Sequence, residues 1–326
     1  MAETLVDITD LTVSFRRAGG GGLFRAVDGV SLGLREGEIL GLVGESGSGK
    51  TTLGKTLLRL YEPASGSIRF RGLDISHLGE RALRPHRREL QMVFQDPLSS
   101  LNPRHTIGEA LAVPMRLHRL HPRAEIAGEV DRLLRRVGLS PAMRDRFPHE
   151  VSGGQLQRVA IGRALTMAPS LIVADEPVSK LDVSVRAQIL NLFKGIRAGS
   201  KLTILFITHD LHVARYLCDR IGVMFFGKLV ELAPTAELFA APRHPYTRAL
   251  LATLADELGD AAPRANADGA PNLIGCRYAA RCGWRTGRCA EAHPATETTG
   301  EHAIACHEWR HLADLPKERE DVEMRA

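Results

Sequence analysis

The sequence predicts an α/β fold built around a largely parallel sheet, and three observations carry that reading. Largely apolar runs at Ile39–Val43, Leu171–Ala174 and Leu202–Thr208 have the length and side-chain types of strands buried on both faces. The first run passes through Gly44-Glu-Ser-Gly47-Ser-Gly49-Lys50-Thr51 into helical spacing at Thr52, Leu53, Thr56, Leu57 and Leu60. The second is followed by a helical pattern, Val185–Ala198, and then by the third run, which repeats the strand–helix unit.

The turn after the first run fixes the chemistry of one site. Its spacing is that of a P-loop, with a helix starting at Gly49 or Lys50. Glycines at 44, 47 and 49 let backbone N–H groups close around a triphosphate, with Ser46 and Ser48 between them. The helix start adds donors and a favourable dipole, and Thr52 lies in its first turn. Lys50 can reach the β and γ phosphates, and the Thr51 hydroxyl is placed for Mg²⁺. ATP and Mg²⁺ are therefore the expected ligands.

Composition bounds the rest. A chain of 326 residues, 44% hydrophobic, can bury one large core and a smaller domain. No stretch approaches the about 18 consecutive apolar residues of a membrane helix, and the N-terminus lacks a basic start with an apolar segment after it. A soluble protein is expected, with any membrane role supplied by a partner. The net charge of +5 is spread along the chain, so a nucleic-acid partner is not expected.

Before the P-loop strand, Leu5, Ile8, Leu11, Val13 and Phe15 alternate as an amphipathic strand, followed by a flexible turn at Gly19–Gly22. A second strand, Val27–Leu34, closes on a hairpin-like turn at Glu36–Glu38. Phe15 or Phe24 can stack on a base, although a core phenylalanine reads nearly as well. After the P-loop helix, Pro63–Gly66 is a stop, Ser67–Phe70 a short strand, Arg81–Arg88 a solvated charged segment and Leu90–Phe94 a buried strand ending at Gln95.

From 96 to about 168 the pattern turns helical, with periodic segments at Thr106–Leu117 and Ala124–Val137 and a helix capped by Ser152 that Pro169 ends. This reads as a helical insertion in the α/β core. A helix at Leu211–Cys218, a strand at Ile221–Phe226 and a turn at Gly227 complete the domain, with Cys218 in its core. Asp256–Asn272 is poor in large apolar residues and predicts a mobile loop or linker, and the charged last ten residues predict disorder.

Further polar residues stand where strands of an α/β sheet deliver them. Asp175 and Glu176 follow the Leu171–Ala174 run: the aspartate suits Mg²⁺, the glutamate the activation of water. Gln95 and His209 end two other strands and can reach the metal, the water or the γ-phosphate. Ser152-Gly153-Gly154-Gln155 is a second anion-binding helix start in a chain that already has one. That redundancy predicts a head-to-tail dimer in which the turn meets nucleotide held by the partner.

Together these residues resemble an ATP-binding cassette (ABC) ATPase. Gly44–Thr51 matches the Walker A motif, Gln95 the Q-loop, Ser152–Gln155 the signature, Leu171–Glu176 Walker B, Ser179–Asp182 the D-loop and His209 the switch histidine. Gln95–Pro103, Phe147–Ser152 and His244–Leu250 resemble the bacterial dipeptide and oligopeptide importer branch. The resemblance implies an antiparallel β subdomain, a helical subdomain and a small cysteine-containing C-terminal domain. It also implies docking of residues 96–103 on a membrane permease. The family D-loop usually reads Ser-Ala-Leu-Asp, and here Lys180 replaces the alanine, which suggests a contact specific to a non-identical second ATPase.

Four of the five cysteines fall in one stretch: Cys276, Cys282, Cys289 and Cys306, with five, six and sixteen residues between them. A nucleotide-hydrolysing chain in a reducing compartment argues against disulfides and for a metal or cluster. The short knuckles of zinc sites are absent, and the family includes members with a 4Fe-4S cluster, so a cluster is expected ahead of zinc or no metal.

The sequence thus predicts a cassette at 1–235, its helical part at about 96–168, and a C-terminal extension at 236–326. Its catalytic residues are Glu176, His209 and Gln95. Thr51, Gln95 and Asp175 hold Mg²⁺, and Phe15 and Asp182 join the nucleotide contacts. By resemblance its partners are a second ATPase subunit, two transmembrane permease subunits and an extracytoplasmic peptide-binding protein, and it lies peripherally at the cytoplasmic face of the inner membrane. The rival readings are a nickel or other solute importer, a cassette acting on nucleic acid or the ribosome, and a nonhydrolysing structural subunit.

Overall fold

A computed structural model describes residues 3–16, 22–256 and 271–313. The chain opens with two long strands, β1 (Thr4–Arg16) and β2 (Leu23–Arg35), paired antiparallel from Thr4↔Arg35 to Arg16↔Leu23 with several register shifts. Their alternation holds: Leu5, Ile8, Leu11 and Val13 are buried. The turn residues 17–21, the linker residues 257–270 and the charged C-terminal residues 314–326 lie outside the described residues.

Next comes β3 (Ile39–Val43), all five of its residues buried. The hairpin-like turn at Glu36–Glu38 is corrected here, because β2 and β3 belong to different sheets. The turn instead links them through Glu38, whose carboxylate accepts from Arg35 N at 2.6 Å and pairs with Arg220 at 3.3 Å.

The helix α1 (Lys50–Leu57) follows, then β4 (Ser65–Phe70) and the short β5 (Leu73–Asp74). These two strands extend the first sheet into an antiparallel order β2-β1-β4-β5. The charged segment expected at 81–88 is partly helical: α2 (Glu80–Leu83) buries Leu83, and Arg87 donates to Glu80 at 2.8 Å. It leads into β6 (Leu90–Val93).

The helical part contains α3 (Ile107–Leu117), α4 (Ile126–Arg136) and α5 (Gly153–Leu165). Thr106 caps α3 by accepting from Glu109 N at 3.2 Å. Ile107, Leu111, Val130, Leu134, Val159 and Ile161 are at most 1% exposed, so the apolar stripes of all three helices are buried.

The chain then returns to the sheet with β7 (Leu171–Asp175), α6 (Val183–Ala198), β8 (Thr203–Ile207), α7 (Leu211–Leu217) and β9 (Arg220–Phe225). These strands form a parallel sheet in the order β9-β3-β8-β7-β6. The carboxyl ends of β3, β6, β7 and β8 therefore lie along one edge, where loops can converge on a ligand. Cys218 is buried, and that burial raises its thiol pKa, so it stays an inert core thiol.

Residues Met1–Lys228 form one compact unit and Leu229–Ala326 a second. The second unit has β10 (Lys228–Pro234), α8 (Thr235–Ala240), α9 (Pro245–Asp256), α10 (Gly287–Glu291), β11 (Glu297–Thr299), β12 (His302–Ile304) and α11 (Trp309–Ala313). Within it β12 pairs antiparallel with both β10 and β11. No helix among the described residues is long and apolar enough to cross a membrane.

Candidate functional site

The P-loop begins where β3 ends, and its shape follows from two constraints. Gly49 has φ +102°, and a Cβ there would lie 2.2 Å from the Ala26 carbonyl oxygen, so only glycine fits. The Lys50 ammonium is held by its own loop: it donates to the carbonyls of Gly44 at 2.7 Å and Glu45 at 2.8 Å and to the Ser48 hydroxyl at 3.2 Å. Burial lowers the Lys50 pKa, while Glu176, Asp175 and Glu45 act the other way.

The loop walls a cleft of about 390 Å³. Ser46, Gly47, Gly49, Lys50, Thr51 and Thr52 line one side, and Gln95 and Glu176 line another. Phe15 and Phe24 complete the wall together with Ala26. The two phenylalanines are 37% and 41% exposed, and the Phe15 ring meets that of Tyr61 edge-on with centroids 5.3 Å apart.

Asp175 and Glu176 divide the work by environment. Asp175 ends β7, is 6% exposed and accepts from the Thr51 hydroxyl at 2.8 Å. Burial raises its pKa, and the Thr51 hydrogen bond and Lys55 oppose that rise. Glu176 leaves the strand at φ +44°, a rare conformation for a non-glycine residue that turns its side chain into the cleft. Its backbone N–H is anchored on the Ile207 carbonyl at 2.9 Å.

Two side chains from other strand ends hold the Glu176 carboxylate. Gln95 Nε2 donates to one oxygen at 3.1 Å, and His209 Nδ1 lies 3.1 Å from the other. The structure therefore brings Lys50, Thr51, Gln95, Asp175, Glu176 and His209 together. Ser152, Gly153, Gly154, Gln155 and Asp182 are not among the residues lining this cleft. Sequence reasoning placed Ser179 in the D-loop but gave no role to its hydroxyl, which accepts from Gln95 at 3.4 Å, or to the Arg186–Asp210 ion pair at 2.8 Å beside His209. Ser179 sits three residues after Glu176, a spacing that could have flagged it.

A second site lies in the C-terminal unit. Cys276, Cys282, Cys289 and Cys306 line one cavity together with His244 and Tyr278, and all four are free thiols. No three of their sulfurs lie within 4.8 Å of one another. Burial pushes Cys276 up to about 11 and Cys306 up to about 12, and raises Cys282. Backbone N–H groups of Tyr278 and Ala279 donate to Cys276, that of Trp284 to Cys282 and that of Glu308 to Cys306. Such donors favour the thiolate over the thiol. Burial also holds His244 neutral, pushing it down to about 4.

The profile of the ABC transporter family matches residues 27–179, and that of the oligopeptide/dipeptide transporter C-terminal region matches residues 230–289. The oligopeptide transport ATP-binding protein AppF of Bacillus subtilis is 44% identical, over 94% of this chain and 97% of its own. This chain belongs to the family of oligopeptide ABC transporter ATPases. A second B. subtilis protein, the putative oligopeptide transport ATP-binding protein YkfD, is also 44% identical, over 97% of this chain and 98% of its own. Among solved structures, the dimeric post-hydrolysis state of the cassette MJ0796 bound to ADP and Pi superposes with TM-score 0.65 and 28% identity, covering 71% of this chain and 98% of that one.

In this ABC ATPase the signature turn is a well-formed helix start. Ser152 Oγ accepts from Gln155 N at 3.3 Å and Gln155 Oε1 from Ser152 N at 3.0 Å, a reciprocal capping box. Gly154 is required by a close approach: a Cβ there would meet Val185 Cγ1 at 2.4 Å. Gly153 faces Leu181 of the D-loop at 3.9 Å, and Ser152, Lys180 and Asp182 are exposed. The Ser152–Gln155 and Ser179–Asp182 segments thus approach each other at Gly153 and Leu181, and neither Ser152 nor Asp182 lines the cleft.

Proposed function

We propose that this chain binds and hydrolyses ATP to drive import of short peptides through a separate membrane permease. The observation that carries the reading is the Glu176 carboxylate, fixed by Gln95 and His209 at the wall of a P-loop cleft. ATP places its phosphates on the loop amides and Lys50, and its base against Phe15 or Phe24. Glu176 accepts a proton as water attacks the γ-phosphorus; the new P–O bond forms as the bond to the β-phosphate oxygen breaks, giving ADP and phosphate.

The Thr51 hydroxyl and Asp175 carboxylate, 2.8 Å apart, are the hard oxygen donors that suit Mg²⁺, with Gln95 as a third. When bound, the ion neutralises charge on the β and γ phosphate oxygens. His209 keeps Glu176 aimed and stands by the γ-phosphate. A second cassette supplies its Ser-Gly-Gly-Gln turn and D-loop to this nucleotide, as this chain's Ser152–Gln155 and Asp182 do for the partner's.

Residues 1–235 act as the cassette, with the helical part at about 96–168, and 236–326 as the extension. Next to Gln95, Met92, Phe94, Pro114 and Leu117 line a groove of about 300 Å³ that would receive a permease helix beside residues 96–103. The assembly also needs an extracytoplasmic peptide-binding protein, and its ATPases sit at the cytoplasmic face of the inner membrane.

The four-cysteine cavity fits a 4Fe-4S cluster better than zinc. Zinc–sulfur bonds of about 2.3 Å hold tetrahedral sulfurs about 3.8 Å apart, whereas a cubane binds each thiolate to a different iron and spreads them. That no three of the four sulfurs lie within 4.8 Å of one another favours the wider spacing of the cubane. Cys276, Cys282, Cys289 and Cys306 would hold it, and its chemistry is structural: it cross-links a unit with a small core.

The test is Glu176→Gln in the assembled transporter. The variant is expected to bind Mg-ATP with unchanged affinity and lose at least about a hundredfold in hydrolysis, from loss of the general base. Normal turnover would refute the assignment.

A further inference from the structure

His244 borders the four-cysteine cavity and is 1% exposed. Its backbone and ring are fixed from two sides. Glu231 Oε2 accepts from His244 N at 3.0 Å, and His244 Nδ1 accepts from the Tyr246 backbone N–H at 3.0 Å. A backbone amide can only donate, so Nδ1 carries the lone pair and the proton of the neutral ring sits on Nε2. That Nε2 is fully enclosed and meets no hydrogen-bond partner among the described residues. A buried N–H without an acceptor is costly, and such a group marks a place where something else completes the bonding.

We propose that His244 donates a hydrogen bond from Nε2 to a sulfur of the cluster held by Cys276, Cys282, Cys289 and Cys306, and sets its potential without ligating iron. The proposal rests on the cluster reading above. Ligation would need the lone pair on Nε2 and the proton on Nδ1, where it would face the Tyr246 N–H. Cluster sulfurs, by contrast, are anionic acceptors, and an N–H bond to them is charge-assisted. The reduced cluster carries one more negative charge, so the bond stabilises it more and raises the reduction potential.

The experiment compares the full chain with His244→Asn and His244→Phe, all purified without oxygen. The Asn side chain keeps an oxygen for Tyr246 N–H, and so the start of α9, but is too short to replace the Nε2 donor. Iron and sulfide analysis, visible absorption and an electron-paramagnetic-resonance redox titration are read on each. All three chains are expected to hold the full iron and sulfide complement. Both variants shift the redox equilibrium about tenfold toward the oxidised cluster, about 59 mV for one electron.

Unchanged potentials in fully loaded variants would overturn the donor role. Loss of one iron in the variants, or strong nitrogen coupling in the unsubstituted chain, would make His244 a ligand and overturn it as well. An unsubstituted chain without iron would overturn the cluster reading itself and the donor role with it, and that outcome is read before either variant is measured.

Discussion

Gly49 shows how much of the site depends on one missing Cβ. Its φ of +102° and the Ala26 carbonyl at 2.2 Å from a built Cβ leave no room for alanine. Gly49→Ala is expected to cost at least about 2 kcal/mol, from backbone strain and overpacking together, and to weaken ATP binding at least tenfold. Thermal unfolding and nucleotide titration would check both numbers. The P-loop, Gln95, Asp175, Glu176 and His209 were legible in the sequence because each follows a short apolar run, and strands of a parallel sheet deliver their ends to one edge. The contacts of Ser179 and Arg186 were not, because they are made to partners, Gln95 and Asp210, that only the folded chain brings near.

Single elements were legible where their pattern was local and long. The helix start at Ser152 was read as a cap, and the structure adds caps at Thr106 and Asp210; each of the three side chains accepts from a backbone N–H three residues on. The turn before β3 misled because adjacent strands usually pair, whereas here the chain crosses between sheets. In β10 the reading missed Glu231, which is 1% exposed and accepts from Arg243 N at 2.7 Å, His244 N at 3.0 Å and His302 Nε2 at 2.7 Å. His302 is 71 residues away, so no window could pair them.

Burial pushes the Glu231 carboxyl up, but the bonds from His302 and Arg243 N outweigh it and hold its pKa below the usual 4.5. A pKa lowered by folding contributes stability above 4.5 that is lost as pH falls through the native value. Glu231→Gln is expected to destabilise the second unit by about 3–5 kcal/mol at neutral pH, because it leaves buried donors unmatched. The variant also loses that acid dependence, and unfolding followed at pH 7 and pH 4 measures both effects.

At the scale of the molecule, the order of motifs along the first unit was readable throughout, while the second unit was read only through its cysteines and the His244–Leu250 resemblance. Its strands are three to seven residues long and its core is partly polar, so periodicity had little to register. The dimer expected from a redundant anion-binding turn fits the exposed position of Ser152, Lys180 and Asp182. Lys180→Ala is expected to leave ATP binding by the separate chain unchanged and to lower the ATPase rate of the two-cassette assembly at least twofold. An equal rate would remove the partner-specific role of that lysine.

The grip of Lys50 on the carbonyls of Gly44 and Glu45 has a consequence for timing. Those bonds are internal to the loop and hold its curvature before nucleotide arrives; a phosphate oxygen then takes the place of one of the three acceptors of the ammonium, a like-for-like exchange that leaves the rest of the loop as it stands. The slow event of each cycle should then be sought in the meeting and parting of two whole subunits, and stopped-flow nucleotide exchange ought to outrun steady-state hydrolysis.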